Sequence, residues 1–479
     1  MKKALGLILL LTMMLLTEVS AQSFTLTVAG SHLKADTLRL QCIQRVKLTE
    51  EHQRFEGEIL YKDVATAACS PKTVFALKNG LEAGYYRVTA DTTTLFELLV
   101  SEKKKQKITV TVESNGESLF DGSEENSLYQ KYLESQRQLS RSMDSLNRIF
   151  QNAQGTMPQY MLQDLAMRLS TQADELMRNH ETLCQQMTDK LPGSLLASLI
   201  QFDQPLPPLP STISSNEQYL AYSALHAFDN FPYKDGRMHT TPAAMNRLLA
   251  VCSNLFYMSP QNSPAIADTL LTRWQANTAN YHAFFNVMEN AFGTIGVSFW
   301  TEEIYLVMLR NALAYPQLEE RRRSYYEQLY ELQSKNLPGS QLPDIPILWS
   351  DDSRSSLHAV ESEYTLLYLQ NPDCHTCTAV RGYLATNPEL DQAVKSGRLT
   401  VVTLYFEKDE QLWRRYLSTK ADPRWRHGWD YQSKIESEQL FDLRAIPVIF
   451  LLDKDKKVIV KNLPHYDLSN ALKAYGIVE

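Results

Sequence analysis

The sequence is poor in the features that mark non-globular or nucleic-acid-binding chains. Glycine and proline number only 17 and 20 of 479 residues, which excludes collagen-like and low-complexity classes. Positive charge is in deficit, since 48 basic residues face 55 acidic ones, and this balance argues against a general nucleic-acid binder. No long apolar run follows the N-terminus, so no later segment is expected to span a bilayer. What remains is a globular chain long enough for about three domains.

The N-terminus has the pattern of a secretory signal peptide. Two lysines precede the apolar stretch 4–16, and small residues follow at Ser20 and Ala21. The apolar stretch is too short to cross a hydrocarbon core of about 30 Å. We therefore predict a signal peptide over 1–21, cleaved after Ala21, and a periplasmic mature protein that meets the membrane only through this peptide.

The remaining chain predicts a multidomain α+β protein. Alternating apolar and polar residues, with turn residues between them, predict an antiparallel β-sandwich over 22–122. From 123 to 336 the spacing changes to that of amphipathic helices and predicts a helical middle region. From 337 to 479 the predicted order β-α-β-α-β-β-α indicates an α/β domain.

Six cysteines matter in a chain that is exported to an oxidising compartment. Four of them stand alone in the sequence: Cys42, Cys69, Cys184 and Cys252. Sequence alone does not connect these four, and at Cys42 and Cys252 a buried free thiol and a bridge are equally compatible with the pattern. Only Cys374 and Cys377 have a spacing with chemical meaning.

The Cys374–Cys377 pair follows an apolar strand and opens a predicted helix. At that position, free backbone N–H groups and the positive end of the helix dipole stabilise a thiolate at Cys374. Cys377 shares a helix face with Val380 and Leu384, which are expected to point at the sheet. The sequence therefore predicts that Cys374 is the accessible nucleophile and that Cys377 is the shielded thiol that resolves a mixed disulfide.

Residues 340–474 resemble a thioredoxin-like domain of the exported thiol–disulfide oxidoreductase type, the TlpA/ResA group. The motif C-H-T-C begins at Cys374, and the tripeptide A-I-P, which ends at Pro447, opens a later strand. The resemblance implies that the Ile446–Pro447 bond is cis and lies against the dithiol. It also implies that Ile446 offers its backbone to a substrate strand and that no cofactor is needed.

More widely, the chain resembles secreted proteins of the Bacteroidota that join a β-rich module and a helical segment to a thioredoxin-like domain. The segment 120–126, F-D-G-S-E-E-N, is similar to their junction between strands and helices. This resemblance implies an architecture and a compartment. The partners it implies are exported cysteine-containing proteins and an unidentified redox partner, with no nucleic acid.

The motif departs from the family pattern at several positions. Asp373 replaces the usual aromatic residue, and its charge opposes ionisation of Cys374. His375, when protonated, and Arg381 act in the opposite direction. We therefore predict that these three residues tune the pKa of the dithiol. Tyr368 occupies the strand position of the buried acid of thioredoxins.

Three functions are compatible with this pattern. The first is a thiol–disulfide oxidoreductase of the periplasm. The second is a cell-envelope binding or scaffold protein in which the C-x-x-C motif is a static bridge. The third is a metal site that joins the two cysteines to His375, His427 or His465, although zinc requires four ligands held by a second layer of contacts.

Overall fold

The structure is a computed structural model that describes residues 23–51, 54–294 and 299–479. The predicted signal peptide lies outside the described residues. The described chain divides into two compact units, one formed by residues up to 262 together with 269–287, the other by 263–268 together with 288–479. In the part of the chain that is described, no helix is long and apolar enough to cross a membrane. The predicted domain boundaries after 122 and 336 stay predictions.

The β-rich part of the first unit contains two four-stranded sheets. Its strands are β1 (Ser23–Ala29), β2 (Thr37–Glu51), β3 (Arg54–Ala68), β4 (Lys72–Leu77), β5 (Gly84–Ala90), β6 (Thr93–Val100), β7 (Lys105–Val112) and β8 (Ser118–Asp121). The sheet orders are β4-β1-β7-β8 and β3-β2-β5-β6. Alternation along the strands sends every second side chain inward, and one hydrophobic core contains side chains from both sheets.

The prediction that these strands pair only antiparallel is wrong at one place, because β1 and β7 are parallel. Strands joined by a tight hairpin must be antiparallel, whereas parallel neighbours need a long connection. The whole of the second sheet lies between β1 and β7 in the sequence and supplies that connection.

Strands pass into helices at the segment 120–126. Gly122 has a φ of +81°, and a Cβ there would collide with the Lys107 carbonyl oxygen. Ser123 caps the helix that follows by accepting a hydrogen bond from the backbone N–H of Asn126. The buried Asn126 amide accepts a hydrogen bond from Leu99 N at 2.7 Å and donates one to Leu99 O at 2.8 Å. This side chain therefore fastens the helix to β6.

The helices begin with a long hairpin of two consecutive helices, and shorter helices follow it. Their bounds are α1 (Glu124–Gln154), α2 (Gln159–Lys190), α3 (Leu195–Phe202), α4 (Asn216–His226), α5 (Pro242–Tyr257), α6 (Ser263–Trp274), α7 (Thr278–Met288), α8 (Glu302–Ala314) and α9 (Glu320–Gln333). A π-helical turn over Glu289–Gly293 follows α7. Prolines at 205, 207, 208 and 210 keep the segment between α3 and α4 out of helix.

The second unit contains a seven-stranded mixed sheet in the order β10-β9-β13-β12-β11-β14-β15. Its elements are β9 (Pro346–Trp349), β10 (Arg354–Ser356), β11 (Tyr364–Gln370), α10 (His375–Thr386), α11 (Pro388–Lys395), β12 (Leu399–Tyr405), α12 (Glu410–Thr419), β13 (Arg426–Trp429), α13 (Lys434–Ser437), β14 (Val448–Leu452), β15 (Val458–Val460) and α14 (Leu468–Ala474). The central strands β11, β12 and β14 are apolar on both faces, and each face has its own core.

Two parts of this domain differ from the order β-α-β-α-β-β-α that the sequence predicts. The stretch 419–432 contains a further strand, β13, which pairs in parallel with β12. Gly428 permits this strand, since a Cβ there would collide with the side chain of Ile347. The stretch 433–443 contains the short helix α13, and Gln439, with a φ of 47°, follows it in the left-handed region.

Helices α8 and α9 are joined to the sheet of the same unit by one buried lysine. Lys461, which follows β15, forms an ion pair with Glu302 of α8 at 2.6 Å. It also donates hydrogen bonds to the carbonyl oxygens of Gln333 at 2.7 Å and of Lys335 at 2.8 Å. Both charged side chains are buried, so this contact is a buried salt bridge and not a surface ion pair.

Candidate functional site

The two motif cysteines lie just beyond the end of β11, where a tight turn leads into α10. The side-chain oxygen of Asn371 accepts a hydrogen bond from the backbone N–H of Asp373 at 2.8 Å, which is the bond of an Asx turn. The backbone N–H of Cys374 donates to Asn371 O at 3.1 Å. The turn ends at Cys374, whose extended backbone makes it the N-cap of α10.

The two sulfurs have different environments. The Cys374 Sγ accepts a hydrogen bond from the backbone N–H of Cys377 at 3.2 Å, the position that a capping oxygen usually takes. Cys374 is partly exposed, whereas Cys377 is fully buried, as the sequence predicts. Val380 and Leu384 continue the buried face of α10 and pack in the core against the sheet. This face places Cys377 behind Cys374.

Burial raises the pKa of the Cys377 thiol to about 12, and a hydrogen bond with Cys374 acts in the same direction. A hydrogen bond from the backbone N–H of Asn371 partly offsets this rise. Cys377 therefore holds its proton at neutral pH. It must lose that proton before it can attack a disulfide.

Tyr368 stands behind the dithiol on β11. Its hydroxyl donates a hydrogen bond to the carbonyl oxygen of Cys377 at 2.6 Å, and burial raises its pKa. The side chain thus holds the first turn of α10 against the sheet. It presents a neutral hydroxyl, and not a charge, behind Cys377.

Arg381 lies one turn beyond Cys377 and is buried, with 6% of its surface exposed. Its guanidinium donates to the side-chain oxygen of Gln370 at 2.9 Å and to the Thr378 hydroxyl at 3.3 Å. It also lies 5.1 Å from the centre of the Tyr416 ring, a cation–π contact. Among the described residues, Arg381 forms no ion pair with a carboxylate. A charge is thus held inside the domain by neutral groups.

His427 of β13 completes this polar layer. Its Nδ1 lies 2.6 Å from the Thr403 hydroxyl and 3.2 Å from the Tyr416 hydroxyl, and its Nε2 lies 2.8 Å from the Asp422 carbonyl oxygen. A carbonyl can only accept, so Nε2 carries the proton and Nδ1 accepts. Burial lowers the pKa of His427, which keeps the ring neutral.

The metal hypothesis gains no support from this arrangement. Both ring nitrogens of His427 already have hydrogen-bond partners, and His375 is exposed at the start of α10. His465 lies against the rings of Tyr383 and Tyr466. Within the described ranges, no three histidine, cysteine or acidic side chains are grouped as metal ligands would be.

The Ile446–Pro447 peptide bond is cis, as the family resemblance implies. The next residue, Val448, begins β14 and pairs with Leu369 near the end of β11. The sheet therefore brings this bond to the same edge from which the chain turns towards Cys374. Both Ile446 and Pro447 are partly exposed, and Ile446 also packs on the core.

The other two residues predicted to tune the dithiol lie at the surface. Asp373 and His375 flank Cys374 directly and are both exposed, so water screens their charges. Arg381, by contrast, is buried. The sequence did not reveal the partners of Arg381, because Gln370 ends an apolar strand and Tyr416 belongs to a helix far along the chain. The one available signal is a glutamine inside an otherwise apolar strand pattern.

Comparison with known proteins separates the helical region from the rest of the chain. A family described as a domain of unknown function, DUF5106, matches residues 168–336. No curated protein sequence matches the chain. The family match thus covers much of the predicted helical region and gives it no activity.

Several solved structures are similar to this chain. A thioredoxin-like protein from Bacteroides caccae has a TM-score of 0.52 and 24% identity over 57% of this chain and 98% of that one. The C-terminal domain of an uncharacterized Bacteroides fragilis protein is 28% identical over 29% of this chain and 99% of its own, with a TM-score of 0.28. The thioredoxin domain of a thiol-disulfide oxidoreductase from Bacteroides vulgatus is 22% identical over 29% and 97%, with a TM-score of 0.26.

The similarity to the Bacteroides caccae protein shows the fold of the part of this chain that it covers. The chain contains a thioredoxin-like fold, and the prediction made from the cysteine motif and the later proline is confirmed at that level. The strand–turn–helix with Cys374 at the helix start, and the strand that follows the cis Ile446–Pro447 bond, belong to this fold.

Proposed function

We propose that the protein is a thiol–disulfide oxidoreductase that exchanges disulfides with exported cysteine-containing proteins through Cys374 and Cys377. The observation that carries the proposal is the unequal placement of the two thiols. Cys374 is partly exposed at the N-terminus of α10, where its sulfur accepts a hydrogen bond from the backbone N–H of Cys377. Cys377 is buried one turn behind it. This is the arrangement that a nucleophile and a resolving thiol need.

In the proposed reaction, the Cys374 thiolate attacks a client disulfide, and one client sulfur leaves as a thiolate. The mixed disulfide is then cleaved when Cys377 attacks the Cys374 sulfur, which releases the second client sulfur. The client is reduced and the enzyme is oxidised to the Cys374–Cys377 disulfide. Ile446, with its backbone beside Pro447, is proposed to pair with an extended client segment during this reaction.

The test is to trap the intermediate. In the Cys377→Ser variant the mixed disulfide cannot be resolved, so we expect covalent client adducts to accumulate in periplasmic extracts. The Cys374→Ser/Cys377→Ser variant retains the other four cysteines and is the matched control, which should form no adducts. Equal adducts in both variants would show that another cysteine reacts, and none in either would contradict the proposal.

A second candidate is a binding protein in which Cys374 and Cys377 form a static bridge. It is favoured by the absence, among the described groups around the dithiol, of a buried carboxylate, whose position Tyr368 takes. The reduction potential separates the two functions. A redox enzyme titrates between about −270 mV and about −120 mV, whereas a structural bridge lies below about −300 mV.

We propose that the protein works in the periplasm after removal of residues 1–21. The support is the sequence pattern of the N-terminus. N-terminal sequencing of the protein isolated from its host should begin at Gln22. A mature protein that retains Lys2 and Lys3 would contradict export by this route.

A further inference from the structure

The dithiol has a buried positive charge beside it, on the helix that carries Cys377. Arg381 follows Cys377 by four residues, so the two side chains lie on the same face of α10. Helical side chains lean towards the N-terminus, which directs the guanidinium back over the turn that contains Cys377. The contact with the Thr378 hydroxyl at 3.3 Å shows that it reaches that turn.

The end of β11 closes this space from the other side. The guanidinium is hydrogen-bonded to the Gln370 side chain, and the backbone N–H of the next residue, Asn371, lies near enough to the Cys377 sulfur to lower the pKa of that thiol. The sulfur and the guanidinium therefore both lie beside the end of β11. Solvent does not screen their interaction, since both Cys377 and Arg381 are buried.

Among the residues that the structure describes, no carboxylate forms an ion pair with Arg381. The titratable side chains that face it are Tyr368 from β11, Tyr416 from α12 and His427 from β13. Burial raises the pKa of both tyrosines and lowers the pKa of the histidine, so all three are neutral at pH 7. A buried cation without an anion is costly unless hydrogen bonds and a later anion compensate it.

We propose that the missing anion is the Cys377 thiolate and that Arg381 is a positioning residue that promotes the resolving step. This inference rests on the proposed function. An acid would accept the proton of the resolving thiol. Arg381 instead stabilises the negative charge that Cys377 carries once its proton has left. Arg381 thereby raises the fraction of Cys377 that can attack.

The step balances without a further reactant. The Cys377 thiol loses its proton to water, and its thiolate forms a bond to the Cys374 sulfur. The bond between Cys374 and the client sulfur breaks, and the client leaves with the electron pair and takes a proton from water. Arg381 keeps its proton throughout and contributes only charge.

The experiment follows the lifetime of a mixed disulfide in the full chain. Reduced protein is mixed with oxidised glutathione, quenched with acid at intervals, and the glutathione adduct is quantified by intact mass. Arg381→Met and Arg381→Gln remove the charge, and Arg381→Lys retains it. One unit of pKa is tenfold in thiolate, so we expect the adduct to decay about tenfold more slowly in the Met and Gln variants. The Lys variant should stay close to the wild type.

The pH profile distinguishes charge from structural damage. The logarithm of the decay rate should rise by about one per pH unit in every variant, with the lines of the uncharged variants displaced downwards and parallel. Formation of the adduct, which depends on Cys374, should change much less than its decay. Arg415→Met removes an exposed cation from α12 and is the matched control, which should leave the decay rate unchanged.

Three results would overturn the inference. They are equal decay in the wild type and Arg381→Met, equal slowing in the Lys and Met variants, and slowing of formation and decay by the same factor. A wild-type protein that never forms the glutathione adduct would instead overturn the proposed function itself. The failure of one claim can thus be told from the failure of the other.

Discussion

At the scale of single residues, two buried cations of the second unit, Arg381 and Lys461, have opposite kinds of partner. Lys461 is paired with the carboxylate of Glu302 and with two carbonyl oxygens, so its charge is compensated in the folded state. The partners of Arg381 among the described residues are neutral: Gln370, Thr378 and the ring of Tyr416. The first arrangement holds elements together. The second leaves a buried positive charge for the Cys377 thiolate that we propose to form during disulfide exchange.

His427 allows a prediction on pH dependence. Burial lowers its pKa in the folded protein, so below about pH 6.5 the unfolded chain binds more protons than the folded one. The free energy of unfolding should therefore fall as the pH falls, by at most about 1.4 kcal/mol per pH unit from this group. Urea unfolding between about pH 7.5 and about pH 5 should show a flatter profile for His427→Gln than for the wild type. Identical slopes would contradict the prediction.

At the scale of elements, the junction from β8 into α1 shows how a short segment fixes a long helix. The turn needs glycine at position 122, and Ser123 caps the helix. The buried amide of Asn126 makes the hydrogen bonds with the Leu99 backbone that a neighbouring strand would otherwise make. The segment 120–126 is recognisable in the sequence. The contact of Asn126 with Leu99 is visible only in the structure, because Leu99 lies on a different strand from the one that precedes the turn.

Asn126→Ala should destabilise the protein strongly. The change leaves the backbone N–H and carbonyl of Leu99 buried without partners, which should lower the free energy of unfolding by about 3 kcal/mol. Asn147→Ala, on an exposed position of the same helix, is the matched control and should change it by less than about 0.5 kcal/mol. Denaturant unfolding measures both values. A similar small loss for the two variants would show that the Asn126 amide is not needed.

At the scale of the whole chain, the contacts of α8 and α9 connect the predicted helical region with the sheet of the thioredoxin-like fold. Residues 288–336 belong to the same compact unit as the C-terminal sheet. The buried salt bridge between Lys461 and Glu302 is part of this connection. The family match over 168–336 therefore ends within a compact unit and not at its edge.

The effect of Lys461→Met on stability should depend on whether Glu302 is present. In the full chain it leaves Glu302 buried without its partner, and we expect a loss of about 3–5 kcal/mol in the free energy of unfolding. In a fragment covering 340–479, which lacks Glu302, the same change should cost much less. The double variant Lys461→Met/Glu302→Leu should recover part of the loss in the full chain. An equal loss in the free energy of unfolding in the full chain and in the fragment would contradict this role of the Lys461–Glu302 ion pair.

The sequence by itself determined the thioredoxin-like fold, the two motif cysteines and the proline turn. These are local signals, because a strand, a turn, a helix cap and a proline each act within a few residues. Tertiary structure alone decided the parallel pairing of β1 with β7, the strand β13 and the neutral layer around Arg381. Each of these depends on residues that are far apart in the sequence and meet only when the sheet forms. The burial that distinguishes Arg381 from exposed arginines such as Arg415 is a property of that assembled sheet.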